Sequence, residues 1–221
     1  MSSIDANQKV GEYERGQSHV LENLWSTFCA TESGQWILKL PNAIRLAEKI
    51  KGFNPKHILE LGTGIGCSTA VMAFSCPEAR IYTVEQNQKC IDIAKKLIPA
   101  TLQERIYFRK ADPVIVTVPQ VNPLVHFSMF NDFDWHNYDF IFVDGPSPVK
   151  TKVNVGGKYW ETLAYLPNGD IINLLPKMAE GTIIYIDGRK HSTRLYNRHL
   201  GAYLESLEGD SGYEIFRRNS K

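Results

Sequence analysis

The chain has 221 residues, 43% hydrophobic and 22% charged, with a formal net charge of +1. That length suits one α/β domain with a substantial core and is short for two. The near-neutral charge gives no global electrostatic reason for a nucleic-acid or membrane partner, and no run approaches the roughly 18 apolar residues that span a bilayer. The start, MSSIDANQKVGEYERG, lacks the apolar core of a signal peptide. Cys29, Cys67, Cys76 and Cys90 form no C-x-x-C pair, which favours reduced thiols in a cytoplasmic protein.

The first 16 residues are polar and carry no periodicity. Helical patterns follow over 17–29 and 36–51, the second with Pro41 suited to a first helical turn. Together they suggest an N-terminal helical extension, residues 1–52, ahead of a main domain at 53–221. Trp25, Phe28 and Trp36 suit ordinary core packing there, with a pocket cover or a homodimer contact as alternatives. Strands are expected at 57–61, 80–85, 105–109, 138–143 and 181–186, and helices at 66–76, 88–98, 169–178 and 190–207. A single further strand is expected at 212–217. The alternation predicts a doubly wound, mostly parallel, Rossmann-like α/β sheet with helices on both faces. The segment 146–169 reads as a long loop, a lid in which Gly156 and Gly157 give freedom and Lys158, Tyr159 and Trp160 cover an acceptor.

The most informative run is HILELGTGIG, residues 57–66. A buried strand ends there in Glu60, and Gly62, Gly64 and Gly66 turn into a helix. Such a turn accommodates φ > 0 and lets a ligand approach the backbone. The third glycine comes one residue earlier than in the dinucleotide pattern G-x-G-x-x-G. The next strand ends in Glu85, a carboxylate able to accept both hydroxyls of a ribose. Asp112, Asp144 and Asp187 close the following strands in the same way. Any one of them alone reads as a helix cap or turn residue. Five at the carboxyl edge, where open α/β sheets bind ligands, point to a site.

From Ile58 to Ala94 the chain resembles the class I S-adenosylmethionine-dependent methyltransferases, and among them the catechol and caffeoyl-CoA type of O-methyltransferase. ELGTGIGCSTAVMA and YTVEQNQKCIDIAKKL carry the likeness, which extends more loosely through Asp112 and YDFIFVDGP to IIYID. The resemblance implies S-adenosylmethionine as cofactor. Glu60, Gly62, Thr63, Gly64, Gly66 and Ser68 would hold its methionine part and Glu85 its ribose. Gln86 would lie beside the adenine, Asp112 near the adenine amino group, and Asp144 at the same edge. Metal-dependent members carry an Asp after strand four and an Asp-Asn pair after strand five, which bind Mg²⁺ through oxygen. Asp144 and Asp187 match two of these ligands, and Gly188 stands at the Asn position. Asp170 is either a substitute ligand or a helix cap, so a divalent cation such as Mg²⁺ stays open.

Asp144-Gly145-Pro146-Ser147 is not the Asn/Asp-Pro-Pro-Tyr/Trp of exocyclic amine methylation, and no Pro-Cys pair serves C5 methylation of cytosine. An oxygen acceptor remains, and its proton needs a base or a metal. Asp144 is the first candidate. Asp187 and His191, whose ordinary pKa is about 6.5, complete the catalytic set. Lys190, Arg194 and Arg198 recur every four residues and share a helix face. With Arg189, His191, Lys150 and Lys152 they would make an electropositive mouth for an anionic acceptor such as a sugar nucleotide or uronic acid; the alternative is a solvated face. The function expected is methyl transfer to an oxygen of a small-molecule or saccharide acceptor. Alternatives are an RNA or protein methyltransferase, which the charge balance disfavours, a non-catalytic cofactor-binding partner module, and an NAD-dependent oxidoreductase, which the glycine spacing disfavours.

Overall fold

The computed structural model describes residues 19–31, 34, 37–118, 125–130, 133, 136–146, 149–155, 158–164 and 166–220. Helix α1 (19–29) and α2 (Leu40–Phe53) precede β1 (His57–Leu61), α3 (Cys67–Ser75) and β2 (Arg80–Glu85). Then come α4 (Gln88–Leu97), α5 (Ala100–Gln103) and β3 (Ile106–Lys110), followed by a hairpin of β4 (Pro113–Val118) and β5 (Val125–Phe130). After β6 (Phe140–Val143) a second hairpin, β7 (Val149–Val155) and β8 (Lys158–Ala164), leads to α6 (Asp170–Leu174). The chain ends with β9 (Ile183–Asp187), α7 (Lys190–His199), β10 (Leu204–Gly209) and β11 (Tyr213–Arg218).

Burial explains the layering. Strands β1, β6 and β9 are almost continuously apolar because both of their faces are covered. Ile58, Phe140, Phe142 and Tyr185 point into one core with Phe28 of α1, Leu46 and Ile50 of α2 and Val71 of α3. Their neighbours Leu59, Leu61, Ile141, Val143, Ile184 and Ile186 point the other way, into a second core with Ile171 of α6 and Tyr196 of α7. The seven strands run in the order β10-β11-β9-β6-β1-β2-β3. Strands β3, β2, β1, β6 and β9 are mutually parallel, whereas β11 and β10 are antiparallel to their neighbours. The chain leaves β1 toward β2 on one side and later returns to β6 on the other. The cleft between the ends of β1 and β6 is therefore the switch point at which such sheets bind ligands.

Three expectations are corrected. The helix expected over 190–207 ends at His199, and 204–209 is instead edge strand β10, so the sheet closes in an antiparallel hairpin and not in one strand. The segment read as a loop over 146–169 carries hairpin β7–β8. Hairpin β4–β5 was not anticipated at all. Trp25 of α1 donates its indole N–H to Leu38 O at 2.7 Å, and Phe28 is fully buried, as core packing requires. Trp36, Ser147, Gly156 and Gly157 lie outside the described residues. All four cysteines are free thiols. Among the described residues, no helix is long and apolar enough to cross a membrane.

Candidate active site

The turn from β1 into α3 is fastened from several sides. The N–H groups of Gly62 and Thr63 both reach Val84 O, at 2.9 and 3.2 Å, which ties the turn to β2. Gly62 has φ +102°, and a Cβ there would lie 2.7 Å from Gly145 N and 2.8 Å from the Asp144 carbonyl carbon. The turn after β1 and the turn after β6 thus pack backbone against backbone. Gly64 differs: at φ +52° an added Cβ meets nothing within 4 Å, so its outer side is open. Gly66 is the N-cap of α3.

Glu60 sits on the α3-facing side of β1 and is completely buried. Ser68 Oγ donates to its Oε1 at 2.5 Å, while Thr69 and Thr83 donate to its Oε2 at 2.5 and 2.6 Å. Thr63 and Thr83 share a further contact of 2.5 Å. Burial pushes Glu60 up to about 7 against the pull of the three hydroxyls. Both of its oxygens are thereby engaged beneath the turn, as is the Ser68 hydroxyl. What the turn leaves toward the cleft is the open side of Gly64.

At the end of β2, Glu85 Oε2 accepts the Gly64 N–H and its Oε1 the Asn87 N–H, each at 2.9 Å. Burial raises its pKa. Gln86 follows, with a buried Oε1 that has no hydrogen-bond partner. An orphaned amide oxygen beside a carboxylate, across from an open glycine, fits a polar nucleoside. Asp112 is placed differently: it is exposed and paired with Lys110 on the surface at 2.6 Å, apart from the other carboxylates.

Parallel pairing of Val143 with Ile186 brings the next residues, Asp144 and Asp187, side by side. Asp144 lies deep among protein atoms yet opens to the cleft; burial pushes it up to about 6, against the neighbouring Arg189. Arg189, the N-cap of α7, donates through Nη1 to Pro146 O at 2.7 Å and through Nη2 to the Asp144 carbonyl. Its Nε and Nη2 also stand 3.5 Å from Asp144 Oδ1. Asp187 is pushed up to about 7, first by burial and then by Asp144, with Arg189 and Arg45 opposing. Its Oδ1 is buried without a hydrogen-bond partner.

Asp170, a possible metal ligand in the sequence, is engaged in a separate set of hydrogen bonds. Its Oδ2 accepts the Phe130 N–H at 3.1 Å and Asn168 Nδ2 at 2.8 Å. The same amide donates to Gly145 O at 3.0 Å, and Tyr196 Oη donates to Asn168 O at 2.6 Å. This is a buried bracket beneath the 144–145 turn. Burial raises Asp170 to about 7. Among the described residues, no three His, Cys, Asp or Glu side chains converge on a metal position. Gly188 offers no side chain, and a guanidinium already flanks Asp144. The donor set does not fit a divalent cation.

His191 is exposed in the first turn of α7 and makes no hydrogen bond among the described residues. Lys190 and Arg194 line a cavity of about 210 Å³ with Arg189, Gly188, Gly212 and Tyr213; Arg198 is exposed and not part of that lining. Lys150, Lys152, Lys158, Tyr159 and Trp160 fall on β7 and β8, and their side chains lie outside the description. The sequence does not mark Gly145, Asn168 or Tyr196 as site residues. Gly145 alone left a signal there, in DGP.

A doubly wound sheet with a glycine turn after β1, an acid closing β2 and an antiparallel last hairpin defines the class of Rossmann-like methyltransferases. Residues 16–203 match the family described as O-methyltransferase, and the chain belongs to that family. Similar solved structures carry the same fold. A putative O-methyltransferase from Klebsiella pneumoniae superposes with a TM-score of 0.61 at 18% identity, covering 91% of this chain and 90% of that one. An O-methyltransferase from Bacillus cereus, in complex with SAH, gives 0.59 at 17% identity with 90% of each chain covered. A putative caffeoyl-CoA O-methyltransferase from Staphylococcus aureus gives 0.55 at 16% identity, covering 98% of this chain and all of the other. The protein is therefore an S-adenosylmethionine-dependent O-methyltransferase acting on a small molecule.

Proposed function

We infer that the cofactor lies across the turn at 62–66 and that the acceptor enters beside Asp187, where its hydroxyl loses a proton to that carboxylate. The Bacillus cereus relative carries SAH, the demethylated product of this cofactor. Bound there, the sulfonium supplies an electrophilic methyl group. Glu85 holds the ribose hydroxyls, Gln86 uses its unpartnered oxygen beside the adenine, and the open side of Gly64 admits the chain between them. Glu60 and Ser68 act from below by fixing the turn.

The observation that carries the acceptor side is the buried, unpartnered Oδ1 of Asp187. A buried carboxylate oxygen without a donor is a costly arrangement that a hydroxyl proton relieves. With its pKa near 7, Asp187 accepts that proton at neutral pH and still drives the transfer. Asp144 is held by Arg189 and orients the acceptor. Arg189, Lys190 and Arg194 outnumber Asp210 at the adjoining cavity and favour an anionic acceptor, with sugar nucleotides and uronic acids as the class that joins hydroxyls to negative charge. The near-neutral charge of the whole chain speaks for a small ligand in place of RNA, and the four free thiols suit a cytoplasmic setting.

Screening such acceptors for SAH release identifies the substrate, and Asp187→Asn then tests the base. Turnover should fall on the order of 10²–10⁴-fold with SAH affinity by calorimetry unchanged. Undiminished turnover in Asp187→Asn would remove Asp187 from this role.

A further inference from the structure

We propose that the Arg189 guanidinium holds the place of a divalent cation beside Asp144 and Asp187, and that methyl transfer by this chain is metal-independent. The inference rests on the reading that these two carboxylates face the acceptor. Around the guanidinium lie Pro146 O at 2.7 Å, the Asp144 carbonyl, and Asp144 Oδ1 at 3.5 Å. Oxygen atoms from both the backbone and the carboxylate are the ligands a hard cation gathers, and here a fixed organic cation gathers them. Two carbonyls of the turn after β6 tether it, so it does not swing out as a surface arginine does. Its charge is also permanent, because a guanidinium does not lose its proton in proteins.

The rest of the neighbourhood agrees. A metal at this point would share Asp144 with a positive group already in contact and, among the described residues, would find no third side chain, since residue 188 is glycine. Nothing steric imposes that glycine. Its φ of +62° is a value asparagine adopts, and a Cβ there meets nothing within 4 Å. The amide ligand is therefore absent where it would have fitted, and the next residue is the arginine. Arg189 does what a metal would do for a hydroxyl acceptor: it keeps positive charge next to the oxygen as the proton leaves toward Asp187. It is a positioning residue for Asp144 and an electrostatic partner for the developing oxyanion.

Electron paramagnetic resonance of free Mn²⁺, titrated with excess protein, tests this without any acceptor. The wild type should leave the Mn²⁺ signal undiminished. Gly188→Asn/Arg189→Ala, which vacates the cation position and supplies a third oxygen, should bind one Mn²⁺ per chain and quench the signal. If that variant melts early, Gly188→Asn/Arg189→Gln retains a polar side chain at 189 and gives the same readout. Stoichiometric Mn²⁺ binding by the wild type overturns the proposal, as does a folded double variant that binds none. Calorimetry with SAH separates the two levels: a wild type that binds SAH but also binds Mn²⁺ defeats only the role of Arg189, whereas one that binds no SAH defeats the placement of the cofactor.

Discussion

Gly62 and Gly64 are two residues apart in one turn, yet alanine at each should fail in a different way. At Gly62 the added Cβ would stand 2.7 and 2.8 Å from backbone atoms of Gly145 and Asp144, and backbone cannot rotate away as a side chain tip can. Its φ of +102° also lies beyond the left-handed region that L residues visit. Overpacking costs about 1–3 kcal/mol and the backbone conformation about 1–2 more. The sum is about 2–5 kcal/mol, or a melting temperature lowered by about 4–20 °C for a domain of this size. At Gly64 the Cβ meets nothing and φ is +52°, so only the left-handed cost of about 1 kcal/mol applies, about 2–4 °C. That methyl projects where the cofactor is placed, so SAH should bind Gly64→Ala at least about tenfold more weakly, a change of about 1.4 kcal/mol. Thermal melts followed by calorimetry separate the two. The reasoning fails if Gly62→Ala melts within a degree of the wild type, or if Gly64→Ala loses as much stability as Gly62→Ala.

The buried Asp170, raised to about 7, makes stability depend on pH. An acid whose folded pKa is raised holds its proton more tightly when folded, so its contribution is complete below about pH 4 and declines as pH climbs toward 7. Asp170→Asn carries no such proton, and urea unfolding should show it gaining on the wild type by up to about 4 kcal/mol between pH 4 and 7.5; a constant difference would contradict this. Glu85→Ala strands the Gly64 and Asn87 N–H groups and removes the ribose acceptor, so SAH affinity should fall by about 1.5–3 kcal/mol in calorimetry. Tyr196→Phe deletes the hydroxyl that braces Asn168 and should cost about 1 kcal/mol in melts while leaving SAH affinity intact; a weakened cofactor site would place Tyr196 nearer the chemistry than the structure does.

The central sheet was legible because its strands are short, apolar on both faces and separated by helices, a combination that only a covered parallel sheet satisfies. Strand-end carboxylates were legible for a related reason, since topology sends all of those ends to one edge. Glu85, Asp144 and Asp187 are gathered there, whereas Asp112 turns to Lys110 in solvent. In the sequence Arg189 is only one of several cations expected near the acceptor. Charge spacing reports which way a helix face points but not how deep its first residue lies, and the N-cap position carries Arg189 inward to the turn after β6. The close approach of Gly62 to Gly145 and the hydrogen bonds from Phe130 to Asp170 and from Asn168 to Gly145 join residues far apart in sequence, where no local pattern records the contact.

The most instructive misreading is the strand β10. Leu200, Leu204 and Leu207 are spaced four and three apart, the period of an amphipathic helix, and Gly201 is the sole stop signal between them. The structure shows where the false period originates. Ser206 pairs with Phe216 and Glu208 with Ile215, so Leu207 is an extra residue bulged out of the ladder. A bulge inserts one position into a period of two and leaves an apolar spacing of three, which imitates a helix. Pairing then decides the matter: Glu205 meets Arg217 at 2.6 Å and Ser206 meets Glu214 at 2.6 Å across the two strands. Such partners exist only once β11 has formed against β9. Edge strands with bulges therefore take their identity from the sheet they join, which is why the carboxyl-edge site could be anticipated from local sequence and the far edge of the same sheet could not.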